Sequence, residues 1–166
     1  MGISFNADEV FEMAMDIERN GEAYYRKAAE LASDPEVRKV FEYLAEDENK
    51  HWETFRQMRE SLSGETTTPT VIDSEGLNES YLDALVKSRL FSGVEEAEKV
   101  ASKAGDPISA LNAALTFEKD TILFFMSMKG MVLISMRKPR GDLKITFTDR
   151  ARSMIRQMTT KVKTKL

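Results

Sequence analysis

Apolar residues recur every three or four positions from Val10 to about Ala32, and again from Val37 to Phe55, the spacing of a buried helical face. The first helix is predicted to start after Asn6, with Glu9 placed to complete a capping box, and to run to about Ala32. Ser33-Asp34-Pro35 is a tight break in which Asp34 suits an N-cap and Pro35 a first helical turn. The second helix then runs from Pro35 to Leu62, with Val37, Val40, Phe41, Leu44, Ala45, Glu48, His51, Trp52 and Phe55 on one stripe. Residues 63–76 are polar and read as an exposed loop. Two shorter helices are expected over 78–91 and 93–104, the second capped by Ser92 with Glu95. Gly105-Asp106-Pro107 repeats the stop-cap-start signal, and a third long helix is expected from Pro107 to Lys129, with Gly130 as the residue that ends it.

Two of these helices repeat one text. Val10 to Tyr25 and Ala110 to Phe125 align so that Ala14 matches Ala114, Glu18 matches Glu118, and Tyr24–Tyr25 matches Phe124–Phe125. The turn near Ser33 lies midway between Glu18 and Glu48, so an antiparallel pair of helices brings those two glutamates level, with His51 one turn further on. His51 is the single histidine of the chain. A glutamate from one helix and a Glu-x-x-His from the next form half of a carboxylate-bridged dimetal site in a four-helix bundle.

Composition narrows the chemistry. A chain of 166 residues is read as one domain with a core of useful size. With no cysteine, disulfides, iron–sulfur clusters and thiol chemistry are excluded, and a metal has to be held by oxygen and imidazole nitrogen. No signal peptide and no apolar run of spanning length is visible, so a cytoplasmic protein without a membrane partner is expected. The net charge of −4 hides a split: residues 131–166 hold ten Lys and Arg against Asp142 and Asp149, leaving 14 basic and 26 acidic residues in 1–130. A basic tail suggests nucleic acid. It has no aromatic residue beyond Phe147 and no recognised motif, which argues for a tail docked on the acidic body instead.

Glu18 followed by Tyr25, LAEDENKHWETF around Glu48 and His51, and FEKDTILFF around Glu118 together resemble the ferritin-like superfamily, and more closely the erythrin domain of the rubrerythrin family. The resemblance covers roughly residues 5–130. It implies an all-α, ferritin-like four-helix bundle with a long crossover containing short helices, here 63–105 between the second and third bundle helices. It also implies two irons held by Glu18, Glu48, His51 and Glu118. Peroxide or oxygen reduction, or ferrous iron oxidation, would be the activity. Bridging carboxylates screen the repulsion of two metal ions, and imidazole binds iron without adding charge. The missing cysteines imply an external electron donor such as a rubredoxin-like protein, and bundles of this type suggest a homodimer.

The chain departs from the pattern in its last quarter. The 18-to-48 spacing places a second Glu-x-x-His at 148 and 151, where Thr148 and Ala151 stand, and no glutamate follows Glu118. Asp149 lies one position off. LKITFT at 143–148 alternates like a strand, while Ala151, Met154, Ile155, Met158 and Val162 fall on one face of a basic helix. Residues 131–166 are thus a divergent segment, an atypical fourth helix of the same domain. Divergence to a degenerate site and an altered reading frame both fit the change. The alternative function is a metal-free or degenerate ferritin-like structural or interaction protein. Other residues carry blander readings. Tyr24 and Tyr25 suit core packing with satisfied hydroxyls, with Tyr25 hydrogen-bonding a ligand or acting as a redox neighbour as the alternative. Glu22 suits a solvated position or one behind the ligands over an extra ligand, and Met126, Met128, Met131 and Met136 flexible core or interface filling over a copper site.

Overall fold

The computed structural model describes residues 6–62 and 93–135, with side chains through 125. Four α-helices account for these residues: α1 (Ala7–Leu31), α2 (Pro35–Glu60), α3 (Val94–Lys103) and α4 (Pro107–Ser135). No strand occurs among them. The expected loop at 63–76, the helix at 78–91 and everything assigned to 136–166, the fourth bundle helix included, lie outside the described residues.

The helix starts follow from side-chain caps. Asn6 accepts from the Glu9 amide at 2.9 Å while the Glu9 carboxylate accepts from the Asn6 amide at 2.8 Å, the reciprocal pair that the sequence implied. Asp34 Oδ1 accepts from the Glu36 and Val37 amides, and Pro35 occupies the first turn, where its missing N–H costs nothing. Asp106 repeats this at α4, accepting from the Ile108 and Ser109 amides at 2.9 and 3.1 Å.

Two expectations are corrected. α3 starts from Gly93, not from Ser92; its φ of +91° is a conformation that suits glycine, and no side chain caps the helix. Gly130 does not end α4, which continues to Ser135. The helix-compatible apolar run Met131 to Ile134 outweighs the roughly 1 kcal/mol that one glycine costs inside a helix.

α1 is the central element, contacting α2, α3 and α4. At one end Tyr24, Tyr25, Phe41, Ala45 and the small residues Ala28, Ala29, Ala101, Ala110 and Ala114 form a continuous core, closed by α3. At the other end Phe55 packs between Phe11, with ring centroids 6.5 Å apart, and Phe125, at 5.1 Å. Phe11–Phe55 and Tyr25–Phe41 are both equidistant from Ser33, as Glu18 and Glu48 are, so α1 and α2 hold the antiparallel register that the turn dictates. Arg59 clamps the far end, donating from Nε and an Nη to the two oxygens of Asp8 at 2.7 and 2.9 Å. α4 runs antiparallel to α1 and parallel to α2, since Tyr24 and Tyr25 reach back to Ala110 and Glu118 while Phe125 meets Phe55.

Candidate metal centre

Between the two aromatic ends, three helices each bring a carboxylate inward. Glu18 on α1, Glu48 on α2 and Glu118 on α4 are 1%, 4% and 3% exposed. His51 stands one turn beyond Glu48 on the same face and turns Nδ1 to the acids, 3.2 Å from Glu18 Oε2 and 3.5 Å from Glu48 Oε2. One ligand atom each from Glu18, Glu48 and His51 lies within 4.8 Å of the others. Glu118 borders this group through Glu48 and is not one of its three members. Its Oε1 accepts a 2.6 Å hydrogen bond from the Tyr25 hydroxyl, and its Oε2 is buried with no partner among the described residues.

The electrostatics are those of acids crowded in a dry interior. Burial pushes the Glu48 carboxyl well above the usual carboxylate range, and the Glu18 charge adds to it, against the opposing pull of His51. Burial and then the Glu48 charge raise Glu118 in the same way, while the Tyr25 hydrogen bond and His51 pull it back. No lysine or arginine among the described residues pairs with Glu48 or Glu118. Within the described residues, protons or a metal ion are what can neutralise these carboxylates. Burial, with the charges of Glu118 and Glu48, keeps the Tyr25 phenol protonated, so it acts as a fixed donor. Tyr24, pushed up to about 12 by burial, donates to the Ala110 carbonyl at 2.6 Å.

Glu22 pairs with Arg26 at 2.6 Å, a quarter exposed, which fits its reading as a solvated residue. Two positions that spacing alone did not single out border the acid cluster, Gly21 by contact with Glu48 and Thr121 by its place one helical turn from Glu118. A Cβ on Gly21 would stand 3.0 Å from Phe117 Cε1 and 3.1 Å from the Glu48 carboxyl carbon, so the bare α1 backbone is what leaves Glu48 its place. Thr121, one turn beyond Glu118, is 1% exposed and its hydroxyl has no partner among the described residues. The available signals were a glycine inside a helical pattern and a hydroxyl on the apolar stripe of α4.

The donor set suits a hard or borderline divalent ion: anionic oxygens, one imidazole and a spare buried carboxylate oxygen. These residues fit one ion. The second Glu-x-x-His that a full dimetal site needs would fall at Thr148 and Ala151, outside the described residues. A family model described as rubrerythrin matches residues 9–110, more than half of the chain and inclusive of Glu18, Glu48 and His51. No curated protein and no solved structure matches. A helical bundle with glutamates converging from three helices, a Glu-x-x-His on the second, and this match lead to one conclusion: the chain belongs to the rubrerythrin family, which is all-α and ferritin-like.

Proposed function

We propose that this protein is a non-haem iron carboxylate redox protein that reduces peroxide or oxygen, or oxidises ferrous iron, with Glu18, Glu48, His51 and Glu118 as the metal-binding residues. The observation that carries this reading is the convergence of buried Glu18 and Glu48 with the largely covered His51 within 4.8 Å, with no lysine or arginine among the described residues paired to Glu48. Iron bound there supplies a one-electron couple open to oxygen or peroxide. The protein's own groups prepare the site. His51 offers Nδ1, which requires its proton to sit on Nε2 when a metal is held. Tyr25 fixes the Glu118 carboxylate by one oxygen and leaves the other available. The aromatic rings on either side keep bulk water away from the acids and strengthen their hold on a cation. Reducing equivalents come from a separate donor protein, because the chain has no cysteine to hold an iron–sulfur relay.

A metal-free scaffold is the competing reading, and Thr148 with Ala151 favours it, because they remove the ligands expected from a fourth helix. Anaerobic loading with ferrous iron followed by metal analysis separates the two. One to two irons per chain, lost in Glu48→Gln and His51→Ala, together with peroxide consumption in the presence of a reductant, support the redox protein. Wild-type protein that retains no iron supports the scaffold.

A further inference from the structure

α2 and α4 run parallel in a fixed register. Phe55 meets Phe125, and Glu48, seven residues before Phe55, meets Glu118, seven residues before Phe125. The same register puts Thr121 at the height of His51. One helix therefore presents Glu48-x-x-His51 and the other Glu118-x-x-Thr121, two carboxylates facing each other with an imidazole and a hydroxyl one turn above them.

Among the threonines of the described residues, Thr121 stands apart. Threonines in a helix ordinarily satisfy themselves on the carbonyl four residues back, as Thr54 does on Lys50 at 2.9 Å and Thr116 on Asn112 at 3.1 Å. Those two are exposed or partly exposed. Thr121 is 1% exposed, where an unmade hydrogen bond is costly, and it bonds to no carbonyl among the described residues. Valine has the same shape and would fill the position without that cost. Glu118 Oε2, on the same face of α4 one turn earlier, is another buried oxygen without a hydrogen-bond partner among the described residues.

We propose that Thr121 is the hydrogen-bonding group for a small exogenous ligand (water, hydroperoxide or an anion of similar size) that shares the metal with Glu118. The proposal rests on the metal-binding reading above. Thr121 donates a hydrogen bond from its hydroxyl to the ligand and orients it on the Glu118 side, a role open to it because no group among the described residues takes that hydroxyl.

The test uses cobalt(II) as the metal and azide as the ligand, with wild type, Thr121→Val and Thr121→Ser compared. Cobalt affinity is expected to stay within about threefold across all three, because Thr121 does not touch the metal. Azide affinity, read from the visible cobalt spectrum, falls about tenfold or more in the valine variant and is restored by serine, the loss of one hydrogen bond to an anion. In the metal-free state Thr121→Val melts about 2–4 °C higher than wild type, since an unsatisfied hydroxyl has been removed. Equal azide affinity in wild type and Thr121→Val overturns the proposal while leaving the metal reading intact. A lower metal-free melting temperature for the valine variant also overturns it, by showing that the hydroxyl already has a partner. Wild-type protein that takes up no cobalt overturns the metal reading and this proposal together.

Discussion

A side chain that is absent governs the site as much as those present. Glycine in the middle of α1 gives up about 1 kcal/mol of helix propensity relative to alanine, and the return is room for the Glu48 carboxylate and the Phe117 ring against the backbone of Gly21. Gly21→Ala is expected to leave the thermal midpoint within a few degrees of wild type, the helix gain offsetting the crowding. Metal affinity should drop roughly tenfold, because Glu48 is displaced. Equilibrium metal titration beside a melting curve measures both. Tyr25→Phe removes the donor from a buried carboxyl and should cost about 1–3 kcal/mol in urea denaturation of the metal-free protein. Glu18, Glu48 and His51 were legible in the sequence because ligand type, helical spacing and a well-marked turn fix them together. Gly21 and Thr121 were not, since each is defined by what another helix places beside it.

At the level of the helices, legibility follows local chemistry. The starts of α1, α2 and α4 were readable from Asn6, Asp34-Pro35 and Asp106-Pro107, whose side chains bond to amides two or three residues away. The antiparallel register of α1 and α2 followed from the same break at Ser33. The end of α4 was not readable. A glycine marks a stop only where the following residues cannot continue the helix, and those after Gly130 can. The start of α3 also differed, with Gly93 in place of a side-chain cap. Asp106→Ala tests how much a cap matters to α4. The Ser109 hydroxyl and the Ser109 and Ile108 amides hold the Asp106 carboxyl below its usual range, so its contribution is full above the ordinary Asp value and fades as pH falls through the lowered one. The variant should melt a few degrees lower than wild type at neutral pH and converge with it in acid, as followed by helix circular dichroism.

For the molecule as a whole, the acid cluster couples folding to protons and, under the proposed function, to metal. Glu48 and Glu118 are both raised from 4.5, chiefly by burial, so above that pH the folded metal-free protein holds more protons than the unfolded chain. Stability is then full below the ordinary Glu value and declines as pH climbs toward the raised ones. The urea midpoint of the metal-free protein should be lower at pH 8 than at pH 5.5, and Glu48→Gln should flatten that slope. Saturating metal should reverse the slope, because ligands bind it deprotonated and binding favours the folded state. None of the described helices is long and apolar enough to cross a membrane. One asymmetry in the core has a wider consequence. Of the four groups gathered in the middle of the bundle, three are sealed, while the imidazole of His51 keeps 15% of its side-chain surface open. Of these four side chains the imidazole on α2 is thus the one a reagent from outside reaches, and chemical modification of the cluster in the native protein is expected to begin there.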